Sequence, residues 1–351
     1  AANGVIMITT KSGKNTDGKL KVSYNGSVTV SRVGRLPDVQ TQFGQGWSGD
    51  RALDENGNWG AAYDGKDRVW GNIVDNSQQI KPYVFLKDRV RDFYDYGKNV
   101  KNSVSLSGGN ASTNFFLSLS QNSVDGVIPT DSDSYDRYTI ATKASHKAGK
   151  LTISANVNFS SEKTNAVASG QGTSVFRSLY ESANDISIVD LKDYKNKFNN
   201  LDNYFTPYGV NPYYVLNENG AEQNKQKLFG KFQLDYDVNN DLKLSYRFGG
   251  DFETSTSESH TAVIAFSPDS PNLTSGPKNP GEYIQTRRER TQINHDFIAS
   301  FSNCSLSTDT TPTFSHTSPP AKLAISAVFL GSKSLIKHSV ATLINVSPAP
   351  D

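Results

Sequence analysis

The chain has 351 residues and a net charge of +1, so no electrostatic case exists for binding nucleic acid. Hydrophobic residues make up 35% and mean hydropathy is −0.54, low for a globular chain of this length, yet 16 Tyr and 18 Phe are present. A single cysteine, Cys304, excludes an internal disulfide and a multi-cysteine metal site, and no run approaches about 18 apolar residues, which excludes a transmembrane helix but not a barrel.

In chain order, Ala1 to Lys14 read as turn, strand and basic exit. Asn3-Gly4 tolerates positive φ, Val5 to Thr10 is rich in β-branched residues, and Lys11 to Lys14 leaves the strand. Met7 is the only methionine and no signal sequence is visible. Lys19 to Val30 then alternates strictly. Leu20, Val22, Tyr24, Val28 and Val30 are apolar, with Gly26 among them, and every odd position is polar.

Seven further strands follow from the same pattern. Val100, Val104 and Leu106 mark the second, and Phe115, Leu117 and Leu119 the third. Tyr138 and Ile140 begin the fourth, and Leu151 to Phe159 carry the fifth. Leu228 to Val238, Leu242 to Phe252 and Ile293 to Phe301 carry the sixth, seventh and eighth, with His295 the odd member. Lys19, Lys21, Ser23 and Asn25, and later Lys243, Ser245 and Arg247, fall on the opposite, polar face.

The links alternate between long and short. Ser31 to Lys98 is about 68 residues, the link around Asp131 to Tyr135 about 12, Glu162 to Asn224 about 63 and the link before the eighth strand about 30, and these alternate with turns at Gly108-Gly109-Asn110, Ala148-Gly149-Lys150 and Asn239-Asn240-Asp241. That parity predicts an all-β, antiparallel, up-and-down transmembrane β-barrel, partial at about eight strands, with tight periplasmic turns and long extracellular loops. Strands of about twelve residues, tilted by about 40°, would cover roughly 30 Å. The alternative is a secreted or surface β-sandwich, a carbohydrate-binding adhesin, whose strands are shorter and whose loops need not sort by parity.

After Ser302 the composition changes. Asn303 to Asp351 holds no Tyr, Trp, Arg or Glu and is dominated by Ser, Thr, Pro and small apolar residues. A frameshift or spliced junction is the favoured expectation, because Leu323 to Leu330 and Leu343 to Val346 do not suit a solvated linker. A genuine Ser/Thr/Pro-rich linker is the alternative.

Two segments carry a family resemblance. The Ala2-Asn3-Gly4 turn, the apolar strand, Thr9-Thr10-Lys11 and Gly13-Lys14 resemble the end of the plug domain in the SusC/RagA family of TonB-dependent outer-membrane transporters. Gly44-Gln45-Gly46, Asn56-Gly57-Asn58-Trp59-Gly60 and Asp64-Gly65 are similar to that family's first extracellular region. The resemblance implies a fragment. Residues 1–14 would end the plug, 15–302 would begin the barrel and 303–351 would be the atypical tail. The family's barrel has about 22 strands around a plug. It imports glycans or peptides, works with a SusD-like surface lipoprotein, and is driven by a TonB energy-coupling protein that reaches the plug, here missing. The implied location is the cell outer membrane.

All three tryptophans fall in the first long link. Trp47, Trp59, Tyr63, Asp64 and Trp70 are the candidate ligand-binding residues, with aromatic faces for stacking and an acid for hydroxyl hydrogen bonds. A self-packed loop that uses its aromatics as a small core is the competing reading. Asp54, Asn56 and Asn58 do not make a calcium loop, since Trp59 and Gly65 stand where Gly and Glu are needed. Asp131, Asp133 and Asp136 read as a solvated loop tip. No catalytic residues, cofactor or metal are expected: the five histidines lack ligand spacing, and neither a nucleophile elbow nor a phosphate loop is present.

Overall fold

A computed structural model describes residues 16–168 and 174–301, and the backbone of 325–343. The expected plug end at 1–14 lies outside the described residues, as does the tail on either side of 325–343. The chain forms β1 (Lys21–Ser31), β2 (Asp67–Val74), β3 (Ser77–Pro82), β4 (Gly97–Gly109), β5 (Thr113–Asp125), β6 (Ser134–Ala148), β7 (Leu151–Ala166), β8 (Gly220–Asp237), β9 (Leu242–Thr261), β10 (Glu282–Phe301) and β11 (Ile325–Leu343). Two short helices, α1 (Val175–Tyr180) and α2 (Pro212–Glu218), sit between β7 and β8. No described helix is long and apolar enough to cross a membrane, which says nothing of strands.

The main sheet runs β1-β4-β5-β6-β7-β8-β9-β10-β11, every pair antiparallel, and it does not close. It is an up-and-down partial barrel. The eight strands read from alternation are β1 and β4 to β10. Two additions were invisible to that reading. The β2–β3 hairpin lies inside the first long link. β11 lies in the tail and pairs with β10 from Phe301 opposite Ile325 to Tyr283 opposite Leu343; its sequence has no period-two pattern.

Register gathers the apolar residues on one face. Val22 faces Leu106, which faces Leu117; Leu119 faces Ile140, which faces Phe159. The row continues through Leu228 to Phe252, and below it Phe232 faces Phe248. Among the described residues nothing covers this face. Leu20, Val22 and Tyr24 are 60%, 61% and 65% exposed, and Val157, Leu244 and Phe297 are exposed as well. A sandwich would have sealed that row.

The strands outgrow their apolar part. β9 and β10 each run 20 residues, but on the same face Phe252 gives way to Thr254, Thr256 and Glu258, and Ile293 to Thr291, Glu289 and Arg287. The apolar band is therefore about five alternate positions tall, as Leu151, Ile153, Ala155, Val157 and Phe159 show on β7. At about 3.4 Å rise and 40° tilt that is on the order of 20–25 Å.

Parity of the links is preserved. Residues 110–112, 149–150 and 238–241 make tight turns at one end. Asn110 Oδ1 accepts from Ser112 and Thr113 N (2.9 and 2.8 Å), and Asn239 Oδ1 repeats the device with Asp241 and Leu242 N. Gly149 supplies φ 58° in the two-residue turn. The entering chain also lies at this end, where Gly18 N donates to Gly109 O at 2.8 Å. Residues 32–96, 126–133, 167–168, 174–219 and 262–281 occupy the other end.

The buried core is built from those long links. Trp70, Val90 and Phe93 from the link before β4 pack with Val175, Leu179, Ile188, Tyr204, Tyr213 and Val215 from the link before β8 and Ile264 from the link before β10. Asparagine amides sew the links together. Asn72 Nδ2 donates to Asn203 O and Tyr204 O, and Asn272 Nδ2 to Tyr204 O at 2.9 Å. Asn211 caps α2 by accepting from Tyr213 N, and its amide reaches Leu191 O and Asn199 O. Buried loop backbone must find partners, and amides that both donate and accept provide them.

Candidate functional site

The first long link folds back on itself before it reaches β2. Gly46 N donates to Gly57 O, Trp59 N to Gly46 O and Gly49 N to Trp59 O, at 3.0–3.1 Å. Gly46 takes φ 128° and lies against Asp50 and Ala52 backbone, so no side chain fits there. Gln45 is fully buried, and its Nε2 donates to Leu53 O and Glu55 O. This platform holds Trp47 and Trp59, 53% and 52% exposed. Trp47 lies over Gly57 and its Nε1 donates to Glu55 Oε2 at 3.0 Å. Trp59 leans on Phe43, with ring centroids 6.1 Å apart.

The other three candidates are placed differently. Trp70 is 8% exposed and packs on Phe205, at 6.2 Å between centroids. It is a core residue, and no ligand could stack on it without opening the loops. Tyr63 is half-buried between Tyr83 (5.1 Å) and Phe85 (6.4 Å). Its hydroxyl is buried without a hydrogen-bond partner, and burial, with Asp185 near, raises its pKa well above the ordinary value. Asp64 is exposed but occupied: Arg68 donates to Oδ2, and Lys66 N to Oδ1 at 3.0 Å. Those hydrogen bonds, Arg68 first, lower its pKa. Trp47 and Trp59 thus remain available for stacking, with Glu55 held beside Trp47.

A polar centre beneath this platform carried no sequence signal. Asp185 is buried and accepts from Lys81 Nζ and from Gln45 N (3.1 Å). Lys81 belongs to β3, so one carboxylate ties the hairpin and the platform to the link before β8. Burial lowers the Lys81 pKa, and Asp185 works against that shift. Beside them Arg89 is buried and, among the described residues, has no carboxylate on it. Its guanidinium donates to Asn184 Oδ1 (3.0 and 3.2 Å), Ser182 Oγ (2.9 Å), Ser182 O (2.8 Å) and Leu179 O (3.3 Å). Burial pulls its pKa down to about 10, so it stays charged at neutral pH. These groups are far apart in sequence and lie in no motif.

The acidic stretch from Asp131 to Asp136 is structural. Asp133 Oδ2 accepts from Ile128 N (3.1 Å) and Asp136 Oδ1 from Ser123 Oγ (2.6 Å). Asn58, from the rejected calcium reading, accepts from Asn184 N. Among the described residues no group of three or more His, Cys, Asp or Glu could hold a metal.

Fold and site together define an open all-β barrel wall with a self-packed cap of loops at one end. Solved structures share that architecture. The RagAB peptide importer in its "closed-closed" state aligns at TM-score 0.57 with 15% identity, covering 97% of this chain and 41% of that one. Its "open-open" state gives 0.56 with 13% identity, covering 98% and 42%. A further structure, of the RagAB peptide transporter, gives 0.54 with 13% identity, covering 98% and 42%. No protein-family model matches the chain, and no curated protein matches it. At these identities the likeness is one of fold. The chain spans about two fifths of the length of the solved chains it matches.

Proposed function

We propose that this chain is the early barrel wall and loop cap of a TonB-dependent outer-membrane importer of the SusC/RagA type. The observation that carries the reading is the uncovered apolar row on a sheet whose buried core lies wholly elsewhere, in the loops. In water such a row is an aggregation surface. In lipid it is the expected outer face, and a band on the order of 20–25 Å matches the apolar belt of such barrels. The polar face, with Lys21, Ser23 and Asn25 on β1 and Lys243, Ser245 and Arg247 on β9, would line the lumen.

In this reading residues 1–14 end a plug, 15–302 form barrel, and the tail after Ser302 is a junction product. The cargo is a glycan or a peptide; the peptide cargo of the structural neighbours favours the second. A SusD-like lipoprotein would meet the loop end, and a TonB protein would act through the plug. Trp47 and Trp59 are the ligand-facing aromatics. The adhesin reading loses its support, because it needs a second sheet over Leu20, Val22 and Tyr24.

Fractionation of the source cells tests the reading. The protein is expected in the outer-membrane fraction, extracted by detergent but not by carbonate, with its loop end open to external protease. Recovery in the soluble fraction would contradict it. Sequencing the coding DNA tests the tail: the junction idea fails if neither alternative frame after Phe301 yields alternating aromatic strands.

A further inference from the structure

The loop platform that carries the two open tryptophans has one face that is both aromatic and acidic. A two-residue turn, Ser48 and Gly49 with φ 54° and 87°, sets Trp47 directly across from Asp50. Trp47 N donates to Asp50 O at 3.2 Å, and Asp50 N to Trp47 O at 2.8 Å. Side chains of residues paired in this way share a face. Gly46 bridges Asn58 in parallel, so Gly57 and Trp59, on either side of Asn58, point the other way from it. The Trp47 ring fills the space where a side chain on Gly57 would sit. Trp59 therefore emerges on the same face, roughly 7 Å along the strand. Two half-exposed indoles and the Asp50 carboxylate stand side by side, and Glu55 Oε2 holds the Trp47 Nε1 edge.

The charge on this face is one-sided. Asp50 is exposed, and among the described residues its carboxylate has no ion pair. Asp54 is exposed as well. Arg51 is the only cation from Gln45 to Gly60, and it is turned away: it donates to Val69 O and lies over the Tyr83 ring, 5.1 Å from its centroid. The polar groups beside the Trp47 ring only accept hydrogen bonds, because its own N–H is spent on Glu55. A sugar presents hydroxyls that both donate and accept. A guanidinium presents five donors, no acceptor, a positive charge and a plane that stacks on indole. We propose that this face receives an arginine side chain of a peptide cargo: the guanidinium stacks on the Trp47 and Trp59 rings, and Asp50 supplies the countercharge. The inference deepens, and rests on, the reading of these tryptophans as the ligand-facing aromatics of an importer.

The test uses the full chain extracted from its membrane in mild detergent. The probes for fluorescence anisotropy are a dye-labelled alanine–glycine hexapeptide with one central arginine, the same peptide with citrulline in its place, and labelled maltotriose. Citrulline keeps the shape of arginine and removes the charge. The arginine peptide is expected to bind about tenfold more tightly than the citrulline peptide. Trp47→Ala and Trp59→Ala should each shrink that preference to about threefold or less, and Asp50→Asn should weaken arginine binding about two- to fivefold. An unchanged melting temperature in the variants separates lost recognition from lost folding. Equal binding of the arginine and citrulline peptides overturns the proposal, as does a full arginine preference in both tryptophan variants. Maltotriose that displaces the arginine peptide and needs Trp47 overturns it in favour of a glycan platform. Recovery of the protein in the soluble fraction strikes the importer reading instead, and the same comparison of peptides, made on that soluble protein, still decides whether the face takes arginine.

Discussion

In β1, Leu20, Val22 and Tyr24 stand open on the sheet; in the loops, Leu179, Ile188 and Val215 are fully buried. The two regions place the same kinds of residue in opposite environments. The loop cap obeys the rule for water, apolar inside and amides satisfying the buried backbone. The sheet leaves its apolar face open while its backbone groups pair strand to strand, which is the pattern the proposed lipid setting would call for. One chain thus carries two opposite patterns, and the boundary runs where Phe252 gives way to Thr254 and Ile293 to Thr291.

The largest effects should come from the cap. Phe93→Ala is expected to cost about 3–5 kcal/mol of loop stability, read as early proteolysis of the loops in a thermal ramp. Asp185→Ala should cost a similar amount, about 3–5 kcal/mol, because it strands the half-buried Lys81; Lys81→Met in the same background should recover part of it. In the sheet, Val157→Arg should cost about 2–4 kcal/mol in a bilayer. At a water-exposed site the same change would stay within about 0.5 kcal/mol, so this variant can break the comparison outright.

Alkaline titration sharpens it further. Burial raises the pKa of Tyr63, Tyr83, Tyr94 and Tyr204 above the ordinary 10.0, and that of Tyr213 to about 12. Folded values above unfolded ones mean that the cap keeps its full stability below pH 10 and loses it as pH climbs toward the raised values. Tyrosinate absorbance from these residues should therefore lag and then appear together with loop unfolding. The smallest effects belong to Trp47→Ala and Trp59→Ala, within about 0.5 kcal/mol, whereas Trp70→Ala should match Phe93→Ala. A ligand defect in the first two without a stability defect would mark them as contact residues.

The sheet was largely legible in the sequence because strands with one apolar and one polar face alternate, and β1 alternates without a break. Legibility stopped where the apolar band stops. The polar upper halves of β8 to β10, such as Glu222 to Gln226, show no contrast between faces, so the strands read short. β11 has no alternation at all. The tryptophans marked the first loop, but composition could not separate the core residue Trp70 from the open Trp47 and Trp59. Lys81, Arg89 and Asp185 were illegible because their partners lie about a hundred residues away.

Spin labels give the most direct test of the outward apolar face. With Cys304→Ser as background, single cysteines at Val22, Val157 and Phe248, and at Ser23, Asn158 and Arg247, can be labelled in lipid vesicles. Relaxation by oxygen and by a water-soluble nickel chelate is then compared. The first three labels should favour oxygen and the second three the chelate, alternating residue by residue. Chelate access at Val22, Val157 and Phe248 equal to that at their neighbours, or protection of those three from both reagents, would contradict a lipid-facing sheet.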